Sequence, residues 1–287
     1  MSEISFPLFD FSCNPPKSFS IGPLEIHWYG VLIGIGLLLA VIYGCKRSSQ
    51  FGIHQNDIID GVLCIVPVAV LGARLYYCIF KWENFRDNLW SILNIRAGGL
   101  AIYGGVIGAA IGIIIFALVK KDKVKLTAAL DLTSIGFLIG QSVGRWGNFI
   151  NREAYGAETD SFLRMGLMNR FTGEITYHHP TFLYESLWNL CGFVLLHFLS
   201  KRRRYDGQIA LGYVAWYGLG RAMIEGLRTD SLYWGPFRVS QLLAAASCVA
   251  AVTVLIIMAV RKPDREKLFV NEVAKRTASA LETETEE

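Results

Sequence analysis

The chain has 287 residues, 53% of them hydrophobic and only 18% charged, with a formal net charge of +4. Its apolar residues come in long blocks, which excludes an ordinary soluble domain, and its basic residues sit at the block ends, which gives no reason to expect nucleic acid as a partner. Six cysteines (Cys13, Cys45, Cys64, Cys78, Cys191 and Cys248) are scattered without paired spacing, so neither a disulfide framework nor a metal site is expected.

Seven blocks of roughly 18–22 mostly apolar residues are each long enough to cross a ~30 Å hydrocarbon core as a helix. The expected fold is an all-α polytopic membrane protein with seven transmembrane helices, forming a single integral membrane domain over residues 1–287. A leader, residues 1–27, carries turn signals at Pro15-Pro16 and Gly22-Pro23 and ends in His27-Trp28-Tyr29, an aromatic pair suited to a membrane interface. Segment 1 (28–45) has no basic run before it and is followed by Lys46-Arg47, so it reads as a retained span rather than a cleavable signal peptide. Segment 2 (59–80) contains Arg74 and leads into a connector with Trp82, Phe85 and Trp90 that suits the bilayer surface. Segment 3 (100–119) ends at Lys120-Lys121-Asp122-Lys123, and segment 4 (126–145) runs into Gly144-Arg145-Trp146-Gly147-Asn148-Phe149-Ile150-Asn151-Arg152-Glu153. Residues 146–180 form the longest polar interval, with a turn at Thr172-Gly173, and are expected to be a small extracytoplasmic head with short strands. Segment 5 (181–199) ends at Lys201-Arg202-Arg203-Arg204. Segment 6 (207–227) and segment 7 (239–260) are joined by a short Asp/Trp/Gly/Pro turn. A charged tail, 261–287, follows and is expected to be helical or disordered.

Basic clusters follow segments 1, 3, 5 and 7, so the positive-inside rule places those ends in the cytoplasm, the N-terminus outside and the C-terminus inside. Segments 2, 4 and 6 then run outward and carry Arg74, Arg145, Arg221 and Glu225 in their outer halves. Segments 1, 3 and 5 start outside with His27, Tyr29, Tyr103, Tyr184 and Glu185. Six helices thus bring polar groups to one face, which predicts a single site at the outer leaflet.

Polar side chains at such depth are costly unless they bind one another or a ligand. Tyr217, Arg221 and Glu225, spaced by four, share one face of segment 6. That face is either a structural ion pair or the wall of a polar cavity. Arg145 and Arg221, with Arg74 as a weaker third, offer guanidinium forks that match phosphate oxygens, and a phosphate at this depth fits a phospholipid head group. Glycines spaced by four (Gly30/Gly34, Gly104/Gly108/Gly112, Gly136/Gly140/Gly144) read as helix-packing faces. Ser142 in Gly140-Gln141-Ser142-Val143-Gly144 imitates a hydrolase elbow but lacks the preceding strand that such an elbow requires.

The stretch Gly144–Glu153 closely resembles the hallmark motif of bacterial prolipoprotein diacylglyceryl transferases. The resemblance extends to His27-Trp28-Tyr29-Gly30, to Gly98-Gly99-Leu100-Ala101-Ile102-Tyr103-Gly104-Gly105, to His179-Pro180-Thr181-Phe182-Leu183-Tyr184-Glu185, and to Tyr217-Gly218-Leu219-Gly220-Arg221 with Glu225. It implies a multi-pass enzyme of the bacterial plasma membrane, with an active site facing the outer leaflet. Such an enzyme moves the diacylglyceryl group of phosphatidylglycerol to the thiol of the lipobox cysteine in prolipoprotein signal peptides, releasing glycerol phosphate. Its partners are those two substrates and membrane lipids, and no cofactor is implied. By the same resemblance Tyr29, Arg145, Asn148, Asn151, Glu153, Gly156, Tyr217, Arg221 and Glu225 are tied to binding or activity. The expected catalytic set is Arg145, Arg221, Tyr103 and Glu225; His27 and Glu185 join the substrate-binding set. Many family members carry histidine where this chain has Tyr103, and a tyrosine of ordinary pKa near 10 is a poor base at neutral pH, which leaves the general base open. The competing expectation is a phospholipid-binding transporter or flippase, disfavoured by the strongly apolar inner halves of the segments.

Overall fold

The computed structural model describes residues 3–94, 98–169, 171–229 and 233–286. Eight α-helices dominate the described residues: α1 (Trp28–Arg47), α2 (Gln55–Phe80), α3 (Ile102–Val119), α4 (Leu126–Asn151), α5 (Thr181–Ser200), α6 (Gln208–Glu225), α7 (Val239–Arg261) and α8 (Phe269–Glu286). Six of them, α1 to α5 and α7, are long and apolar enough to cross a membrane, so the protein is a multi-pass, mostly helical membrane protein. The seventh expected span, α6, falls short of that measure among the described residues. It is the helix whose face carries Tyr217, Arg221 and Glu225, and those side chains lower its mean hydropathy. Part of the expected turn between segments 6 and 7, including Asp230, lies outside the described residues.

The chain divides into two compact units. The first comprises Met1–Ile42 and Thr133–Arg265. Its leader carries the expected turn at Gly22-Pro23 and, between its turns, four short strands, β1 (Ile4–Phe6), β2 (Phe11–Cys13), β3 (Ser18–Ile21) and β4 (Leu24–His27). The interval after α4 supplies β5 (Met165–Met168) and β6 (Ile175–His178), joined across Gly173, whose φ of +72° suits the turn expected there. Four of these strands combine into one antiparallel sheet of order β2-β1-β5-β6, with Ile4 opposite Leu167 and Met165 opposite His178, while β3 and β4 pair with each other. Ile4, Met165 and Phe182 are buried together beneath it, with Phe149, Tyr155 and Leu183 packed against them. Burying this cluster fastens the sheet to the end of α4 and the start of α5, which carry the polar residues. A two-residue strand pair, β7 (Tyr233–Trp234) and β8 (Phe237–Arg238), precedes α7.

Within the same unit α1 meets α4 at Gly36, where an added Cβ would lie 3.1 Å from Gly140 Cα, and Gly136 faces Ala40. Gly30 and Gly34, expected to pack, have open space around them instead: the glycine of α1 that allows close approach is one turn's fraction further on, at Gly36. Gly218 brings α6 against α7, since a Cβ there would sit 2.8 Å from Ala244 O.

The second unit comprises Tyr43–Leu132 and Glu266–Glu287. Here the glycine repeat of α3 behaves as its spacing predicts. Cβ atoms added at Gly72 and Gly108 would lie 2.6 Å from Gly104 O and Val68 O, so α2 and α3 touch along their backbones. Lys120, just past α3, reaches Asp57 at 3.0 Å and Asp60 at 2.9 Å on α2. The charged tail is helical: α8 begins at buried Phe269 and lies against Gly52, where a Cβ would meet Val270 Cα at 2.8 Å.

Candidate active site

Helix α4 continues to Asn151, six residues beyond the expected end of segment 4. Arg145, Asn148 and Asn151 therefore lie on its last two turns, spaced by three, rather than in a loop after it. The helix is then closed by two residues in the left-handed region, Arg152 (φ 55°) and Ala154 (φ 56°). That reversal brings the Glu153 amide back to Asn148 O at 3.1 Å and sets its carboxylate under the helix end, where Oε1 accepts from Asn148 Nδ2 (2.9 Å) and Asn151 Nδ2 (3.3 Å). Arg152 points elsewhere, donating to Ile150 O, Asn14 Oδ1 and Pro15 O. Arg145 Nη1 reaches Asn148 Oδ1 at 3.5 Å, which links the amide pair to the arginines.

The centre of the arrangement is Glu185, one turn into α5 and 4% exposed. Its Oε2 lies 2.5 Å from Arg145 Nη2; its Oε1 lies 3.1 Å from Arg221 Nη1 and 3.3 Å from Arg228 Nη1. Arg221 turns its other nitrogen to Glu225 Oε2 at 2.5 Å, along the four-residue spacing of α6. The structural ion pair considered for segment 6 therefore exists, but Arg221 shares it with Glu185. Among the described residues three guanidiniums thus meet at two carboxylates, on side chains that are no more than 20% exposed. Removing paired ions from water costs several kcal/mol per ion, and guanidinium forks gathered on a shared carboxylate are suited to exchange that contact for another anion.

Arg228 is the member sequence reasoning missed, because it falls just past segment 6 and reads as a loop cation. It is held by its backbone: Arg228 bridges Gly156, and Ala157 N donates to Leu227 O at 2.7 Å. Gly156 is the crossing point of that loop. Its amide donates to His179 O at 2.9 Å, its carbonyl meets His178 Nδ1 at 3.0 Å, and a Cβ would lie 2.7 Å from His179 Cβ.

Tyr217 joins Glu185, Asn189 and Arg221 around a small space of ≈ 10 Å³, and its ring stacks on Tyr213 with centroids 5.7 Å apart. A larger cavity of ≈ 580 Å³ lies between α6, the β7–β8 pair and α7, lined by Ala222, Phe237, Arg238, Gln241 and Leu242. Arg238 connects it to the charged cluster by donating to the Glu225 carbonyl and to Tyr233 Oη. Tyr29 packs over Gly147, where an added Cβ would run into its ring. His27 is exposed at the end of β4, opposite Ser18. Tyr103 belongs to the second unit, in the first turn of α3, 56% exposed and 6.4 Å from the Tyr76 ring.

One sequence suggestion changes. Arg74, weighed as a third phosphate ligand, spends its guanidinium on the backbone: Nε on Ile92 O, Nη1 on Gly98 O and Gly99 O, and Nη2 on Ser91 O and Asn94 O. A guanidinium has five N–H donors, so none is left for a ligand. Ser142, the apparent elbow, lies inside α4 with its hydroxyl on Ser186 O at 2.9 Å. Among the described residues no three His, Cys, Asp or Glu side chains group closely enough to hold a metal ion.

Residues 16–257 match the family described as prolipoprotein diacylglyceryl transferase. A relative from Bacillus mycoides (strain KBAB4), named phosphatidylglycerol–prolipoprotein diacylglyceryl transferase, is 43% identical over 243 residues, 83% of this chain and 89% of the relative. A protein of the same name from Bacillus cereus (strain B4264) is 42% identical over 246 residues, 84% of this chain and 90% of its own length. Another from Bacillus anthracis (strain CDC 684 / NRRL 3495) is 42% identical over 243 residues, again 83% and 89%. The match takes in both the α4 motif and the arginine–glutamate cluster, and the chain belongs to the prolipoprotein diacylglyceryl transferase family.

Proposed function

We propose that this protein transfers the diacylglyceryl group of phosphatidylglycerol to the thiol of the lipobox cysteine in prolipoprotein signal peptides. The cysteine sulfur bonds to the glycerol carbon that carried the phosphate, that C–O bond breaks, the thiol proton is lost, and glycerol phosphate leaves. The observation that carries this reading is the convergence of Arg145, Arg221 and Arg228 on one buried carboxylate. Arginine forks match phosphate oxygens, and a head-group phosphate would draw them from Glu185. Held there, they stabilise the charge that gathers on the leaving phosphate, the kind of electrostatic help that supplies a large share of many enzymes' rate. The same positive field favours thiolate, since an ordinary thiol has a pKa near 8.5.

Glu225 fixes Arg221 in this reading, and Tyr217 walls the pocket. Asn148, Asn151 and Glu153 shape the head-group end, near which Tyr29, His27 and Gly156 stand. Tyr103 orients substrate by hydrogen bonding rather than serving as base. The protein sits in a bacterial plasma membrane with its N-terminus outside, residues 146–180 as the extracytoplasmic head, 261–287 as the cytoplasmic tail, and the site facing the outer leaflet. The basic runs after α1, α3, α5 and α7 support that orientation. The test uses purified protein, phosphatidylglycerol vesicles and a synthetic lipobox peptide beside its Cys→Ser version. A diacylglyceryl mass gain on the cysteine peptide alone, with glycerol phosphate released, is expected. Lipid binding without any adduct would favour a transporter instead.

A further inference from the structure

Two pairs of side chains in the first unit are bonded reciprocally. Ser142 Oγ on α4 donates to Ser186 O on α5 at 2.9 Å, and Ser186 Oγ donates back to Ser142 O at 2.9 Å. Trp188 Nε1 on α5 donates to Trp216 O on α6 at 3.0 Å, and Trp216 Nε1 donates back to Trp188 O at 2.9 Å. The two indoles stack, with centroids 4.4 Å apart and planes 18° from parallel. Each also covers a glycine one turn along the facing helix, Trp188 over Gly220 and Trp216 over Gly192, and a Cβ at either glycine would run into the indole.

A reciprocal pair has one register. Sliding α5 past a neighbour by one residue breaks both bonds of a pair together and, at the tryptophans, drives an indole into the side chain beside the glycine. The extra bonds use the second lone pair of carbonyls already within a helix, so they add to helix structure without competing with it. Their place in the sequence is what gives them a function. Glu185 is adjacent to Ser186 and one turn from Trp188; Arg145 lies one turn from Ser142; Arg221 follows Gly220. The serine pair thus stands beside the Arg145–Glu185 contact, and the tryptophan pair beside the Glu185–Arg221 contact.

We infer that these two clasps are the positioning device of the site: Ser142, Ser186, Trp188 and Trp216 lock α5 in register with α4 and α6, so that one carboxylate is divided between Arg145 and Arg221. The four residues touch no reacting atom in this account. They act through the arginines, whose spacing must hold to a few tenths of an ångström, because catalytic geometry is that sensitive. The inference rests on the reading of the arginine cluster as the site of transfer.

The test is a set of full-length variants assayed for kcat and for the KM of a lipobox peptide with phosphatidylglycerol vesicles, alongside thermal unfolding. Trp188→Phe keeps a stacking ring and loses one donor; Ser186→Ala does the same for the other clasp with a smaller change in volume. Each is expected to lower kcat about 10-fold with the peptide KM unchanged, a size typical of small misplacements far from the chemistry. Leu196→Ala, a buried change in the other half of α5, is the control: it lowers the unfolding midpoint and leaves kcat near the parent value. Combining Trp188→Phe with Arg221→Lys is expected to cost less than the product of the two separate losses, because both act on one contact. Parent-like kcat in folded Trp188→Phe and Ser186→Ala, or an equal fall in Leu196→Ala, would overturn the inference. Arg145→Ala in the same series reports on the cluster itself: if it keeps full activity, the reading of the site has failed rather than the clasps.

Discussion

Arg145→Ala is the most informative single change, because it separates the stability of the cluster from its chemistry. Breaking a buried ion pair by removing one partner typically costs 3–5 kcal/mol, since it strands the other charge. Here the stranded charge is Glu185, which keeps Arg221 at 3.1 Å and Arg228 at 3.3 Å. The carboxylate stays compensated, so we expect about 1–2 kcal/mol of lost stability rather than the full figure, and a protein that still inserts and folds. The chemical loss is larger. Arg145 links the amides that cradle Glu153 to the cluster, reaching Asn148 Oδ1 at 3.5 Å and Glu185 Oε2 at 2.5 Å. Removing one charged donor aimed at developing negative charge costs roughly 2.7–4 kcal/mol, a fall of about 100- to 1,000-fold in kcat. Arg145→Lys keeps the charge but not the fork, and is expected to recover part of the rate. The assay is the mass gain of the lipobox peptide over time, with folding checked by thermal unfolding. Full activity in folded Arg145→Ala would refute the assignment of the cluster to the leaving phosphate.

Tyr103→Phe is expected to reduce transfer by roughly 5- to 10-fold and not to abolish it, the loss of about one hydrogen bond of ~1 kcal/mol; complete loss in a folded protein would make the hydroxyl essential to the chemistry. Gly72→Ala should destabilise the α2–α3 pair by about 1–3 kcal/mol, because its Cβ has 2.6 Å to the Gly104 carbonyl and backbone cannot give way as a side chain can. A thermal midpoint equal to the parent's would show that the two helices can separate without cost. Lys120 is held charged by Asp60 and Asp57, which raises its pKa above the ordinary 10.5. A base whose pKa is raised on folding contributes stability that is fully present below the unfolded value and lost as pH rises through the folded one. Lys120→Met should therefore lower the midpoint at pH 8, and the gap from the parent should close as pH rises through the raised pKa of Lys120; a gap that persists in alkali would mean the contribution is packing rather than charge.

Composition and block length alone determined that this is a multi-pass helical protein, since a run of about 20 apolar residues has few stable alternatives to a membrane helix. The sequence also located Arg145, Arg221 and Glu225, because charge inside an apolar block is conspicuous, and four-residue spacing puts Tyr217, Arg221 and Glu225 on one face by helix geometry. The glycine repeat of α3 was legible for the same reason. Other features required the third dimension. That Arg74 serves the backbone while Arg145 meets a carboxylate depends on which segments return beside each, and both look alike as single arginines in apolar blocks. Arg228 entered the site through a backbone bridge to Gly156, a pairing across more than seventy residues that has no periodic signal. The leader's strands are three or four residues long, too short for a pattern, and β1 and β2 join a sheet because β1 finds β5 to pair with. Local periodicity is written in neighbours along the chain; the partner of a buried charge or an edge strand is chosen by packing between segments far apart in sequence, and that choice decided which of the polar residues became the site.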